Sequence, residues 1–251
     1  MQLKQLLNKL LAWNLDLIFP RHCLGCNIEG AYLCQDCLKL LLPLNSVSCF
    51  ICGRRSPSGH ICQKCTHQNH SPLNGIMVAA DWNNLLLRQI IYEYKYRFIK
   101  ELAEPLSELI IKFLNIAQPA CWPKQPDHNQ LLIIPVPLHG QRLAWRGFNQ
   151  SELLAQKIGS HFNVNLAGNI LIRSRHTLPQ REITDKKIRL ENIKKAFSLS
   201  PKIKAENYSL KNKIVILLDD VSTTGATLQE CARELQKLKP KEIWGLVIAR
   251  G

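Results

Sequence analysis

Residues 214–227, IVILLDDVSTTGAT, decide how the rest of the chain is read. An apolar run at 214–218 ends in two adjacent carboxylates, Asp219 and Asp220, and a turn rich in hydroxyls and glycine follows. A helical pattern then begins at Ala226. A short buried run closed by turn residues and followed by a helix reads as strand–loop–helix. At such a junction backbone N–H groups and the positive end of the helix dipole converge, which suits a phosphate. Ser222, Thr223, Thr224 and Thr227 add hydroxyl donors around Ala226, and Gly225 lets the backbone approach without a Cβ. The carboxylates, one turn earlier, suit a sugar diol or a hydrated Mg2+. The loop is therefore predicted to take a ribose 5-phosphate. An ordinary strand–turn–helix with a polar turn is the plain alternative, and it leaves the coincidence of acid pair and hydroxyl cluster unexplained.

The second signal is cysteine spacing. Cys23 and Cys26, Cys34 and Cys37, Cys49 and Cys52, and Cys62 and Cys65 form four C-x-x-C pairs. Each pair sets two thiolates on one tight turn, and two such turns complete a tetrahedral Zn2+ site. Two structural zincs are expected, in sequential ribbons or in a cross-braced arrangement. Disulfides are the competing reading, disfavoured in a chain without a secretion signal. Cys121 and Cys231 stand apart and are expected to be plain buried residues.

The formal charge is +14, and its location is informative. Residues 131–213 hold 15 Lys/Arg against 5 Asp/Glu, and residues 1–70 hold 7 against 3. Thiolate–zinc sites would cancel the second surplus and leave the first. A localised basic surplus favours an anionic partner such as nucleic acid or polyphosphate, with a merely solvated surface as the alternative. No run of 18 or more apolar residues is present, so no integral membrane segment is expected. Lys9 interrupts the opening apolar stretch and no small-residue cleavage site follows, which argues against a signal peptide and for a cytoplasmic location. Leu3, Leu6, Leu7, Leu10, Leu11 and Ile18 mark a helical face that would pack on the body or touch a membrane or partner.

Residues 66–75 read as a linker, which divides the chain into a cysteine-paired head, 1–70, and a body, 71–251. In the body, strands are predicted at 75–82, 131–138, 214–218 and 243–249. Helices are predicted at 85–98, 101–114, 151–162 and 226–238, with an exposed proline-containing loop at 118–130. This alternation gives an α/β fold with a mostly parallel sheet, whose ligands sit beyond the carboxyl ends of the strands. The loops after 131–138 and 214–218 would then wall one cleft. In HGQRLAWRGFNQ (139–150), Arg142 and Arg146 fall on one side if the stretch is helical, and arginine pairs fit pyrophosphate. Trp145 and Phe148 would either stack single-stranded bases or fill the core. Residues 173–197 are the most basic run, read as a solvated face or a phosphate-tracking surface.

Together these pieces resemble the ComF family of competence-associated, phosphoribosyltransferase-like proteins. The resemblance rests on LDLIFPRHCLGC (15–26), the later C-x-x-C pairs, EYKYRF (93–98) and IPVPLHGQRLAWRGFNQSELLA (134–155). It continues through TLPQ (177–180), RLENIKKAF (189–197) and LLDDVSTTGATLQECAREL (217–235). It implies a small N-terminal zinc-ribbon domain on a type I phosphoribosyltransferase-like domain. Residues 214–227 resemble that fold's motif for phosphoribosyl pyrophosphate (PRPP). Asp219 and Asp220 would then take the ribose hydroxyls, residues 223–227 the 5-phosphate, and Mg2+ would arrive with PRPP. Thr223 stands where purine-salvage members carry an acid, which argues against purine salvage. The resemblance further implies handling of single-stranded DNA in natural transformation, with other DNA-uptake proteins as further partners. Three functions follow: a single-stranded-DNA handler with a PRPP-type pocket, a small-molecule phosphoribosyltransferase, and a zinc-headed adaptor with a vestigial pocket. In the transferase, Asp219, Asp220, Arg142 and Arg146 would form the catalytic set, an arginine holding the pyrophosphate.

Overall fold

The computed structural model describes residues 20–68, 70–122, 130–175, 177, 186–206 and 208–251. The expected N-terminal helical face, residues 178–180 of TLPQ, and Arg181, Glu182 and Asp185 of the basic run lie outside the described residues. In chain order the elements are α1 (Gln35–Lys39), α2 (Gln63–Gln68), β1 (Gly75–Ala80), α3 (Leu85–Tyr96) and α4 (Ala103–Ala117). Next come β2 (Leu131–Pro135), α5 (Gly140–Arg146), α6 (Gln150–Phe162), β3 (Asn165–Leu166) and β4 (Leu171–Arg173). The last are α7 (Lys186–Ile193), β5 (Phe197–Leu199), α8 (Pro201–Ala205), β6 (Ile214–Ser222), α9 (Ala226–Gln236) and β7 (Glu242–Arg250).

Five strands form one sheet in the order β1-β7-β6-β2-β3, every neighbour pair parallel. β4 and β5 make a separate antiparallel ribbon. Parallel strands carry helices on both faces, which is why their sequences are continuous apolar runs rather than alternating ones. Successive side chains still serve opposite faces. Ile133, Ile216, Leu218, Trp244 and Leu246 join the cluster beneath α3, α4 and α6. Ile134, Val215, Leu217, Ile243 and Val247 join the cluster beneath α9 and the β4–β5 ribbon.

Several expected boundaries move. The strand expected at 214–218 runs on to Ser222, because Asp219 and Val221 pair with β7. Asp219 and Asp220 are therefore strand residues, where the strand was expected to end just before them. The linker begins later than expected, since α2 continues to Gln68. β2 stops at Pro135, as Pro135 and Pro137 offer no ladder donors. Cys121 and Trp122 are buried within a stretch expected to be an exposed loop, Trp122 meeting Phe162 edge to face at 5.1 Å.

The cysteine-bearing segment is fastened to the sheet. Phe50 is buried in one core cluster, while Leu38, Leu41 and Val47 are buried in the other. His60 meets Trp244 edge to face at 4.5 Å. At Gly75 an added Cβ would stand 2.2 Å from the Gly59 carbonyl and 2.5 Å from the Trp244 ring. Only glycine lets β1 and the second cysteine ribbon approach this closely.

Candidate functional site

The chain leaves β2 toward β3 on one side and leaves β6 toward β7 on the other, although β2 and β6 are neighbours. The strand order thus reverses between them, the place where open α/β sheets form a ligand crevice. A cleft of about 670 Å3 opens there. Its walls include Arg142, Arg146, Asp219, Asp220, Thr223 and Thr227. Residues far apart in sequence and singled out for anion or sugar binding therefore share one cavity. The remaining loop residues back the wall instead of lining it. The Ser222 carbonyl accepts from Gly251 N (3.0 Å), and Thr224 Oγ1 accepts from Ala226 N (3.3 Å). Gly225 adopts φ +79° and packs toward Ile76 and Phe50. Ala226 is buried.

Strand alternation separates the two carboxylates. Asp220 follows Ile216 and Leu218 onto the α3 face, where Lys95 Nζ stands 2.8 Å from its Oδ1. Burial opposes the charge on Lys95, but the Asp220 carboxylate outweighs it and holds the ammonium above its usual pKa. Asp219 instead accepts from Ser151 Oγ, at the start of α6, at 3.0 Å. Desolvation, then the neighbouring Asp220 charge, push Asp219 up to about 7.

Opposite the acid pair stand three guanidinium groups. Arg142 Nη2 donates to the Thr177 carbonyl (2.6 Å), and Arg173 Nη2 donates to Thr177 Oγ1. Arg146 Nη1 donates to Gln150 Oε1 at 2.9 Å. Burial, then the charge of Arg142, lower Arg173 to about 10, so it remains a cation at neutral pH. The Nε atoms of Arg146 and Arg173 and the hydroxyl of Thr223 are buried and find no hydrogen-bond partner among the described residues. Buried donors without acceptors are costly, and an anion in the cleft would satisfy them. This donor set, with the N-terminus of α9 and two carboxylates, fits a phosphorylated ribose with its Mg2+.

Within 139–150, where helicity was a condition of the reading, Gly140–Arg146 are helical as α5, which sets Arg142 and Arg146 on the cleft. Of its two aromatics, Phe148 is core and Trp145 is exposed at the cleft wall. Several cleft residues were not picked out from the sequence: Lys95, Ser151, Arg173, Trp82, Tyr92 and Tyr96. Lys95 lies within EYKYRF, and Arg88, Tyr92 and Tyr96 recur at intervals of four on α3. Arg250 was missed too. Its Nε donates to the Thr223 carbonyl (3.1 Å) and its Nη1 to the Phe50 carbonyl, tying the loop at 223–225 to the second cysteine ribbon.

The eight paired cysteines gather as two sequential clusters, Cys23, Cys26, Cys34 and Cys37, then Cys49, Cys52, Cys62 and Cys65. Within each cluster the sulfurs lie within 4.8 Å of one another, and one pair in each is 3.6 Å apart. Four thiolates at ~2.3 Å from a tetrahedral Zn2+ would be ~3.8 Å apart, so both clusters suit structural zinc. The cross-braced alternative is set aside by this grouping. Cys121 and Cys231 are buried as expected. No helix among the described residues is long and apolar enough to cross a membrane.

Comparison with known proteins matches residues 14–66 to a double zinc ribbon domain and residues 149–250 to a phosphoribosyl transferase domain. The chain is 32% identical to competence protein F of Haemophilus influenzae, over 91% of this chain and 96% of that protein. It is 30% identical to the DNA utilization protein YhgH of Shigella flexneri, over 87% and 92%. It is 28% identical to competence protein ComFC of Bacillus subtilis, over 87% and 84%.

Proposed function

From the premise that the chain belongs to the ComF/ComFC family, with a double zinc ribbon and a phosphoribosyltransferase domain, we propose that it handles single-stranded DNA and holds a PRPP-type ligand in its central cleft. The observation that carries this reading is the convergence of Asp219, Asp220, Thr223, Thr227, Arg142 and Arg146 on one cavity. Asp219 and Asp220 accept hydrogen bonds from the ribose hydroxyls and would hold Mg2+. The Thr223 hydroxyl and Thr227, at the start of α9, hold the 5-phosphate. Arg142, Arg146 and Arg173 hold the diphosphate end through charge-assisted hydrogen bonds. Mg2+, when bound, neutralises part of the diphosphate charge.

The basic surplus of 131–213 borders this cleft through α5 and Arg173, and a strand's phosphates are its counter-charge. Residues 1–70 form the zinc head and 71–251 the body, in a cytoplasmic protein whose further partners are other DNA-uptake proteins. A second reading, transfer of the phosphoribosyl group to a small acceptor, is favoured by the guanidinium groups facing the acid pair. They would stabilise departing pyrophosphate as positive charge develops on the ribose.

The test is fluorescence anisotropy of a labelled single-stranded oligonucleotide with zinc-loaded protein, across salt concentrations, with and without Mg·PRPP. The expected result is affinity that falls steeply with salt and shifts on adding PRPP. Arg142→Glu with Arg146→Glu weakens binding and flattens the salt slope. No binding at moderate salt would leave the small-molecule transferase as the better reading.

A further inference from the structure

We propose that the α3 face bearing Arg88, Tyr92 and Tyr96, together with Trp145 on α5, forms a subsite that stacks one unpaired nucleobase at the mouth of the cleft. The inference rests on the reading of the cleft as a ribose-phosphate site and adds the chemical class of its neighbour, a planar heteroaromatic ring. Arg88, Tyr92 and Tyr96 are four residues apart, so α3 presents them as one stripe, and all three line the cleft. Trp145 lines the same cavity from α5.

These rings are not core. Trp145 is 64% exposed and Tyr92 49% exposed, side chains that folding alone would bury. They are nonetheless held in place. Phe98 meets Trp145 edge to face at 4.8 Å, supporting the indole from one side. Phe98 does so from a backbone φ of +60°, a conformation that bulky side chains avoid. Strain of this kind concentrates at ligand clamps, where surrounding structure fixes it. Tyr92 and Tyr96 stack at a tilt, 5.0 Å between centroids, and the Arg146 guanidinium lies 5.8 Å from the Tyr96 ring.

Supported aromatic faces interleaved with cations are what an unpaired base and its flanking phosphates require. A protein partner also favours Trp, Tyr and Arg, but these rings line a concave cavity continuous with the phosphate loop. The concavity favours a single inserted ring. A base seated there would adjoin the acid pair, because Lys95 on α3 already touches Asp220.

The test compares an oligothymidylate with an abasic phosphodiester of equal length, at one fixed salt concentration. The abasic strand keeps the charge and removes the rings. The wild-type protein should prefer oligothymidylate about tenfold or more. Trp145→Ser and Tyr92→Ser should each pull that preference toward unity, and Tyr92→Phe, which keeps the ring, should restore it. An unchanged preference in a Trp145→Ser protein of native zinc content and circular dichroism would overturn the subsite. Thymidine 5′-monophosphate, followed by tryptophan quenching, distinguishes a free nucleotide from a strand as the source of the ring. Quenching by it with no strand preference assigns the subsite to free nucleotides. Absence of both signals overturns the proposal. PRPP titrated alone reports separately on the ribose-phosphate reading, so failure of one is not failure of the other.

Discussion

Lys95 Nζ stands 2.8 Å from Asp220 Oδ1, so the cleft that gathers two carboxylates also carries its own cation against one of them. Both side chains are mostly buried, at 19% and 10% exposure. Removing one partner of such a pair leaves a charge without compensation, typically at a cost of about 3–5 kcal/mol. Lys95→Met should therefore lower the melting temperature by many degrees at pH 8. The loss should shrink at pH 5, where Asp219 is protonated and no longer adds its charge to that of the unpaired Asp220. A shift independent of pH, followed by circular dichroism, would count against the ion pair as the cause.

Asp219 supplies a second pH dependence. Its folded pKa is raised, to about 7, above the ordinary value of 3.8. The native state therefore binds more protons than the unfolded chain between about pH 4 and 7. Stability contributed by the protonated group is full below pH 4 and is lost as pH rises through 7. Asp219→Asn should raise the melting temperature relative to wild type at pH 8, with the gain disappearing near pH 4. PRPP binding should follow the opposite trend, strengthening from pH 6 to pH 8 in calorimetry, because the Asp219 carboxylate accepts more strongly, and can help hold Mg2+, once ionised.

Thr223 offers a separation of binding from stability. Its buried hydroxyl lacks a partner among the described residues, so Thr223→Val removes an unsatisfied group at nearly constant volume. Thermal stability should hold or rise slightly. Affinity for a ribose 5-phosphate should fall about tenfold or more, the value of a hydrogen bond to a charged group. Unchanged affinity by calorimetry would remove the hydroxyl from the phosphate cradle.

Zinc removal should reach the cleft unequally. Phe50 follows Cys49, and Arg250 joins the Phe50 carbonyl to the Thr223 carbonyl. Elemental analysis should find about two zincs per chain. Cys49→Ser should weaken PRPP binding more than Cys23→Ser, since the second ribbon reaches the loop at 223–225 through Phe50. Equal effects of the two substitutions, each at one remaining zinc, would mean that the loop does not depend on the second ribbon.

The parts of this molecule legible in the sequence are those set by neighbours along the chain. The apolar run before Asp219 and Asp220, the hydroxyl turn, the helix at 226 and the sequential C-x-x-C pairs all depend on local spacing. The guanidinium wall was legible as far as Arg142 and Arg146, which share one short helix. Arg173 was not separable from the basic run around it, because only the antiparallel β4–β5 ribbon carries it to the cleft. Lys95 and Tyr96 were not separable from the rest of their helix, since their partners Asp220 and Arg146 lie on β6 and α5. The strand was expected to end at 218, just before Asp219 and Asp220, because β7 extends the ladder past them in a way no local pattern records.

Gly75 sets an order of assembly. It closes the seam with Gly59 and Trp244, and β1 lies at the sheet edge with β7 as its sole strand neighbour. The cysteine ribbons use contacts close in sequence, which form early and fast. β7, whose Trp244 packs against His60 of the second ribbon, is the last strand of the sheet to be synthesised. On the ribosome the head can thus capture its metal long before it has a surface to rest on. β1 waits with an open edge until residues 242–250 arrive. During that interval the nascent chain most needs protection from pairing with a stranger.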